Sequence, residues 1–429
     1  MRAVVLSAVL LSACVTGEKG PDAPSSGPGA TATSTSSGSG TTQTAGPAAA
    51  GAAVNTGPKK IVGYYTNWVQ YHKGDCKFTA AEVNPALLTH LNFAFAKVDP
   101  GPGGKAKPKF GLAAYDEKDL GPNGQYAQVN ALKKKSPSLK TSLSIGGWSH
   151  NEGDMAWLFT TMAEKPETRS DFIKSTIAYV RTNGFDGIDI DWEYPADPTR
   201  GGRSVDTNNF TALLNEFRSA IDAEAKSSGK DALLLTIAAP AGGTLRGLDL
   251  TKIAAPLDWI NLMAYDYEGA WSPRTGHNAP APKVGMGAPG SVSIYMNFGV
   301  PAAKIVLGMA TYGHAFAGAE SAAVGAAAKG VGPKGRCTDA AGMLSYFEIK
   351  EMIDAGKLKT SWDDNAQVPY GYDAASKLWV SYDDERSFAK KMDFIDEKGL
   401  GGAMFWAIDT DDFRHGYPLI GSVAKRYKK

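Results

Sequence analysis

The chain has 429 residues, with 45 Lys and Arg against 44 Asp and Glu, 43% apolar residues, 49 Gly and 3 Cys. This length admits one large barrel or two ordinary domains, and a net charge of +1 without a polybasic tract or a long acidic run argues against any partner held by bulk charge, nucleic acid included. The cysteines never fall as C-x-x-C and the six His never as H-E-x-x-H, which argues against a disulfide scaffold or a zinc module.

In chain order, Arg2 and the apolar run Val4 to Leu11 come first. The run is far too short to span a bilayer and reads as an export signal. It ends Leu11-Ser12-Ala13-Cys14, which resembles the bacterial lipobox, whose Cys becomes the lipidated first residue after cleavage. Residues 1–14 are therefore expected to be a lipoprotein-type signal with Cys14 as the lipid anchor, the alternative being an ordinary secretory signal. Residues 15–58 are almost wholly Gly, Ser, Thr, Ala and Pro. Such a segment cannot bury enough surface to offset its backbone entropy, so a disordered tether with an r.m.s. span of about 35 Å is expected. The protein is expected to be exported from a bacterium and lipid-anchored at the cell envelope or cell surface, otherwise secreted, and to meet a membrane only through that lipid.

From Lys60 onward β-rich runs alternate with helical patterns, as in a parallel α/β sheet. The candidate strands are Ile61 to Tyr65, Leu91 to Phe95, Thr141 to Ile145, Gly187 to Glu193, Leu233 to Ala239, Trp259 to Ala264, Ile305 to Met309 and Ala403 to Ile408. Eight is the number a closed barrel requires. Between them, Phe210, Leu213, Leu214, Phe217 and Ile221 form one apolar helical stripe before Gly229; Ile173, Ile177 and Val180 form another after Pro166; Phe388, Met392 and Ile395 form a third before Gly399. The rhythm breaks once, over residues 312–382. The predicted fold is an α/β (β/α)8 TIM barrel over residues 59–429, with an α+β insertion subdomain between strand seven and its helix.

The most informative stretch is Phe185-Asp186-Gly187-Ile188-Asp189-Ile190-Asp191-Trp192-Glu193-Tyr194-Pro195. Side chains alternate along a strand, so Asp189, Asp191 and Glu193 share one face and Ile188, Ile190 and Trp192 the other. Three aligned carboxylates cannot all ionise cheaply, so at least one pKa must rise, and a raised outermost carboxyl is suited to general acid work near neutral pH. An EF-hand starting at Asp189 would need Gly where Tyr194 stands. Asp186 has the opposite parity and reads as structural. Asp409, Asp411 and Asp412 read as turn and helix-start residues, having no His or Cys beside them.

With these residues in view, the sequence resembles the family-18 glycoside hydrolases, the chitinases, from Lys60 to about Tyr417. The D-x-x-D-x-D-x-E signature is Asp186, Asp189, Asp191 and Glu193; S-x-G-G is Ser144-Ile145-Gly146-Gly147; M-x-Y-D is Met263-Ala264-Tyr265-Asp266, followed by Tyr267 and Trp271; and the Gly-Gly-Ala-Met-Phe-Trp run through Trp406 is similar to the last-strand element. The insertion further resembles the subfamily with a deepened cleft.

The resemblance implies hydrolysis of β-1,4-N-acetylglucosamine linkages in chitin and chitooligosaccharides, with retention through substrate assistance, an exception to the two-carboxylate scheme. Glu193 would be the acid and then the base, Asp191 would hydrogen-bond Glu193 or turn to hold the acetamido N–H, Asp189 would pair with Asp191 and share a proton in one state of the cycle, and Tyr265 would orient the acetamido oxygen. Asp266 would contact the sugar in subsite −1 or the acid itself, Met263 would bind substrate, and Trp406 would floor subsite −1 with Tyr65 nearby. Trp148 would stack on the leaving-group side, Trp68 and Tyr71 on the non-reducing side, and Trp271 would line the cleft. Pyranose rings present flat C–H faces to such aromatics, although most of the 9 Trp, 17 Tyr and 16 Phe must be core. No cofactor, no metal and a monomer are expected. Two other readings stand beside the chitinase, a non-catalytic chitin-binding lectin and an endo-N-acetylglucosaminidase acting on N-glycans. The acid Glu193 speaks against the first and the insertion against the second. Cys76 and Cys337 remain once Cys14 is assigned to lipid, and whether they pair is left open.

Overall fold

The computed structural model describes residues 57–242, 245, 247–282 and 285–428; the expected signal, Cys14 and the tether as far as residue 56 lie outside the described residues. Eight strands run parallel: β1 (Lys60–Thr66), β2 (His90–Asp99), β4 (Lys140–Gly146), β5 (Gly187–Asp191), β6 (Leu234–Pro240), β7 (Trp259–Met263), β8 (Ile305–Ala310) and β15 (Gly402–Trp406). Each pairs with its neighbour in that order, and β1 pairs with both β15 and β2, so the sheet closes into a barrel. The short β3 (Gly111–Ala114) adds antiparallel to β2.

Strand parity sorts the core into two layers. Ile61, Tyr65, Leu143, Ile188, Ile190, Ile237, Leu307 and Phe405 face outward into the layer shared with the helices. Val62, Tyr64, Ala94, Trp259, Val306 and Met404 fill the barrel interior. The surrounding helices are α1 (Gln125–Ala131), α2 (Leu158–Glu164), α3 (Pro166–Thr182), α4 (Asp206–Ser228), α5 (Leu250–Ile253) and α6 (Ala288–Asn297), with α8 (Glu385–Lys398) and α9 (Pro418–Tyr427) later in the chain. The apolar stripe of α4 is buried as predicted, and Gly229 ends that helix in the left-handed conformation (φ 69°), which glycine adopts without a Cβ clash. Gly399 ends α8 in the same way.

Between β8 and α8 lies a six-stranded antiparallel sheet of β9 (Tyr312–Ala317), β10 (Gly330–Val331), β11 (Met343–Ser345), β12 (Lys359–Asp363), β13 (Val368–Asp373) and β14 (Leu378–Ser381), carrying α7 (Tyr346–Asp354). A disulfide joins Cys76, in the turn after β1, to Cys337 in this subdomain. Both are buried against Phe347, with Phe413 packed beside them. Among the described residues no helix is long and apolar enough to cross a membrane.

Candidate active site

The site forms where the barrel strands end, the usual location in this fold. β5 stops at Asp191, two residues short of the predicted Glu193, because its pairing with β4 ends at Gly146. Beyond that point the Glu193 N–H donates to Asn151 Oδ1 at 3.2 Å and Trp192 packs outward, its ring 5.1 Å from that of Phe159. Asp189, Asp191 and Glu193 are all buried.

Asp189 lies deepest. Its Oδ2 accepts from Tyr64 and Ser144, both at 2.7 Å, and its Oδ1 from Thr236 at 2.6 Å and Asn261 at 3.1 Å. Those four donors occupy both oxygens and fix Asp189 as an acceptor beneath Asp191. Burial still raises its pKa against the pull of the four donors. Asp191 Oδ1 is buried without a hydrogen-bond partner, and burial, then the charges of Glu193 and Asp189, drive its pKa far upward. Burial pushes Glu193 up to about 7, against the lowering effect of Arg200 and of a hydrogen bond with Tyr194, with Asp266 and Glu152 adding to the rise. The site thus carries an acid that still holds its proton near neutral pH.

Tyr265, at the end of β7, is buried with its hydroxyl 3.8 Å from Met404 Sδ; burial, then Asp266 and Asp191, hold that hydroxyl protonated. The next residue, Asp266, has a left-handed backbone (φ 58°). Its N–H donates to Asn278 Oδ1 at 2.9 Å, while Tyr312 at 2.5 Å and His314 at 2.8 Å, both on β9, hold its Oδ1. Met263 is half-buried against the barrel interior. Three peptide bonds at this end of the barrel are cis: Ala94–Phe95, Glu193–Tyr194 and Trp406–Ala407.

Aromatic rings cluster at this end of the barrel. Trp406 stands 5.4 Å from Tyr64, 5.8 Å from Phe95 and 6.3 Å from Trp68, centroid to centroid. Tyr71 and Trp271 are each 48% exposed and Trp148 is 42% exposed, Trp271 meeting His314 edge-on. Tyr65 is corrected: its parity sends it outward, away from the cleft, where its hydroxyl donates to Gln125 Oε1 at 2.5 Å. Gln125 Nε2 in turn bonds the Asn67 carbonyl and Asp119, and Asn67 Nδ2 also bonds Asp119. Tyr65 therefore braces the 3-10 turn Asn67–Tyr71 that carries Trp68 and Tyr71. The interior tyrosine of β1 is Tyr64, and parity with Val62 marks it.

Phe95 departs from simple strand parity. The pairing of β2 with β4 shifts between Ala94 and Ala96, and this bulge turns Phe95 inward beside Ala94. Asp186 bonds Lys133 at 2.8 Å and the Thr141 N–H at 2.9 Å, outside the site. Asp411 caps the entry to α9 by accepting from Ile420 N at 2.9 Å and Leu419 N at 3.4 Å, and Asp409 accepts from Thr66 at 2.7 Å. Among the described residues only Asp75, Cys76 and Cys337 bring three potential metal-ligand atoms together, and the two sulfurs are bonded to each other.

Residues 60–411 match Glycosyl hydrolases family 18. The chain belongs to that family. Chitotriosidase-1 of Mus musculus is 38% identical to this chain over 382 residues, spanning 85% of this chain and 77% of that protein. The crystal structure of Ostrinia furnacalis Group IV chitinase in complex with allosamidin aligns with a TM-score of 0.77 at 30% identity, covering 86% of this chain and 98% of that chain. Human YKL-39, described as a pseudo-chitinase with retained chitooligosaccharide binding properties, aligns at 0.77 and 32% identity, covering 86% and 100%. Family membership thus embraces both chitinases and a relative described as a pseudo-chitinase, and the residues around Glu193 must decide between them.

Proposed function

We propose that this family-18 hydrolase is a chitinase that cleaves β-1,4-N-acetylglucosamine linkages with retention, by substrate assistance. The observation that carries the reading is Glu193, buried just past the end of β5 with Asp191 and Tyr265 beside it, a burial that pushes its carboxyl up to about 7. In this reading Glu193 gives its proton to the glycosidic oxygen as the C1–O bond breaks, and the carbonyl oxygen of the sugar's own acetamido group closes on C1 to form an oxazolinium ion. Water then adds to C1, Glu193 takes its proton, and the ring opens to the retained anomer. The unpartnered Asp191 Oδ1 is a ready acceptor for the acetamido N–H, whose positive character grows in the transition state. Tyr265, held protonated, donates to the acetamido oxygen and sets the attack geometry. Substrate is gripped by the exposed faces of Trp148, Tyr71 and Trp271 and by the Trp68–Trp406 floor.

Product analysis over time on defined chitooligosaccharides, with the anomers determined, tests this. Retained anomers and cleavage only where subsite −1 holds an N-acetylated sugar are expected; efficient cleavage with a deacetylated sugar in that subsite would overturn the assisted mechanism. Export and lipid anchoring through Cys14 belong to the same proposal. Fatty-acid labelling that is lost in Cys14→Ala supports the anchor, and unchanged labelling rejects it.

A further inference from the structure

Arg200 ends a short 3-10 turn, Pro198–Arg200, that follows the catalytic strand, and its side chain is buried. Its Nε donates to the Glu193 carbonyl at 2.5 Å, its Nη1 meets Glu152 Oε1 at 3.1 Å, and its Nη2 donates to the Trp148 carbonyl. The guanidinium carbon lies 3.6 Å from the centroid of the Trp148 ring, a stacking distance. One side chain therefore touches the backbone of the proton donor, the backbone of an exposed tryptophan and the inner face of that tryptophan's ring.

The turn leaves Arg200 little freedom. Asp197 Oδ1 accepts from Thr199 N at 2.9 Å and the Asp197 carbonyl from Gly202 N at 2.7 Å. Gly201 has φ +77°, and a Cβ there would stand 2.5 Å from the Ala156 carbonyl oxygen. Asp206 closes the loop by accepting from Arg203 N at 2.6 Å.

We infer that Arg200 is a positioning residue that couples the leaving-group platform to the proton donor, holding the Trp148 indole with its free face toward the sugar and fixing the backbone from which Glu193 projects. The inference rests on the chitinase reading, in which Trp148 stacks the leaving-side sugar. The carboxyl of Glu193 is faced by Asp191 at the end of β5, by Tyr194 after it, by Asp266 and Tyr265 from the end of β7, and by Glu152 and Arg200 from the leaving side. Burial raises its pKa, and Arg200 is the largest influence opposing the rise. Without Arg200 the Tyr194 hydrogen bond is left to oppose burial, Asp266 and Glu152. Lysine would restore the charge but neither the planar fork nor the ring stacking.

The experiment compares wild type, Arg200→Gln, Arg200→Lys, Trp148→Ala and the Arg200→Gln/Trp148→Ala double variant. Substrates are N-acetylchitohexaose and chitobiosyl fluoride, whose leaving group needs no platform. In Arg200→Gln the alkaline limb of kcat/KM is expected to move up by about one pH unit, and KM for the hexamer to rise by up to about 10-fold, with KM for the fluoride within twofold of wild type. Arg200→Lys should keep the limb in place and retain the hexamer defect, and the double variant should bind the hexamer no more weakly than Trp148→Ala. An unmoved limb in Arg200→Gln, or hexamer penalties that multiply in the double variant, would overturn the inference. If thermal melting shows Arg200→Gln unfolded, Arg200→Lys decides, and wild-type hexamer KM in that variant rejects the coupling. Wild type that binds the hexamer without cleaving it would defeat the proposed function instead, and the same cycle read as hexamer affinity would still decide the coupling.

Discussion

Glu193 and Asp191 have adjacent roles but opposite surroundings. Glu193 has Arg200 and Tyr194 to offset its burial, whereas Asp191 has only like charges pressing on it. A general acid must be protonated to act, so kcat/KM is expected to fall as pH rises through about 7, the value to which Glu193 is pushed; a pH–rate profile checks this. Glu193→Gln keeps the shape of the side chain and removes the proton donor, so kcat should drop by about 10³-fold while oligosaccharide affinity, measured by calorimetry, survives. Tyr64→Phe deletes one of four donors to Asp189, leaving the other three to carry that carboxylate. A cost of about 1 kcal/mol in thermal unfolding is expected, with a loss in kcat as the charge beneath Asp191 becomes less firmly held. At this scale strand parity alone placed Asp189, Asp191 and Glu193 together. Tyr65 lies one position from the interior tyrosine, Tyr64, and one residue along β1 moves a side chain to the opposite face.

The glycines after β4 show how elements fix these residues in place. Gly146 has φ +115°, and a Cβ there would stand 2.2 Å from the backbone oxygen of Asp191, so the end of β4 lies against the catalytic strand with no room for a side chain. Gly146→Ala is therefore expected to lower stability by about 1–3 kcal/mol and to depress kcat more than KM, readable from thermal melts beside steady-state kinetics. The helices were legible because a repeat of apolar residues and a terminal glycine are local signals, as in α4 with Phe210 through Ile221 and Gly229. The inward turn of Phe95 was not, because it depends on a bulge between β2 and β4, a property of two strands that neither reveals alone. The brace under Trp68 and Tyr71 escaped for the same reason: Tyr65, Asn67, Asp119 and Gln125 meet only after folding.

Across the whole molecule, the disulfide between Cys76 and Cys337 spans 261 residues of sequence and fastens the insertion to the loop that leaves β1. Spacing could not decide that pairing, since the two cysteines approach only when the barrel and the insertion are both in place. Closing so long a loop restricts the unfolded chain, a gain of about 2–4 kcal/mol in ordinary cases. Cys76→Ser or Cys337→Ser should accordingly lower Tm by about 5 °C, measured against wild type under non-reducing conditions, with the wild type converging on the variants when reductant is added.

The barrel also has a direction. All eight strands point the same way, so the end at which Lys60 enters β1 is opposite the end at which Glu193 leaves β5. Anything that restrains the chain ahead of Lys60 therefore holds the enzyme by its back, and the cleft opens away from the point of restraint. A domain held in this way presents that end of the barrel face first, opposite to whatever holds it.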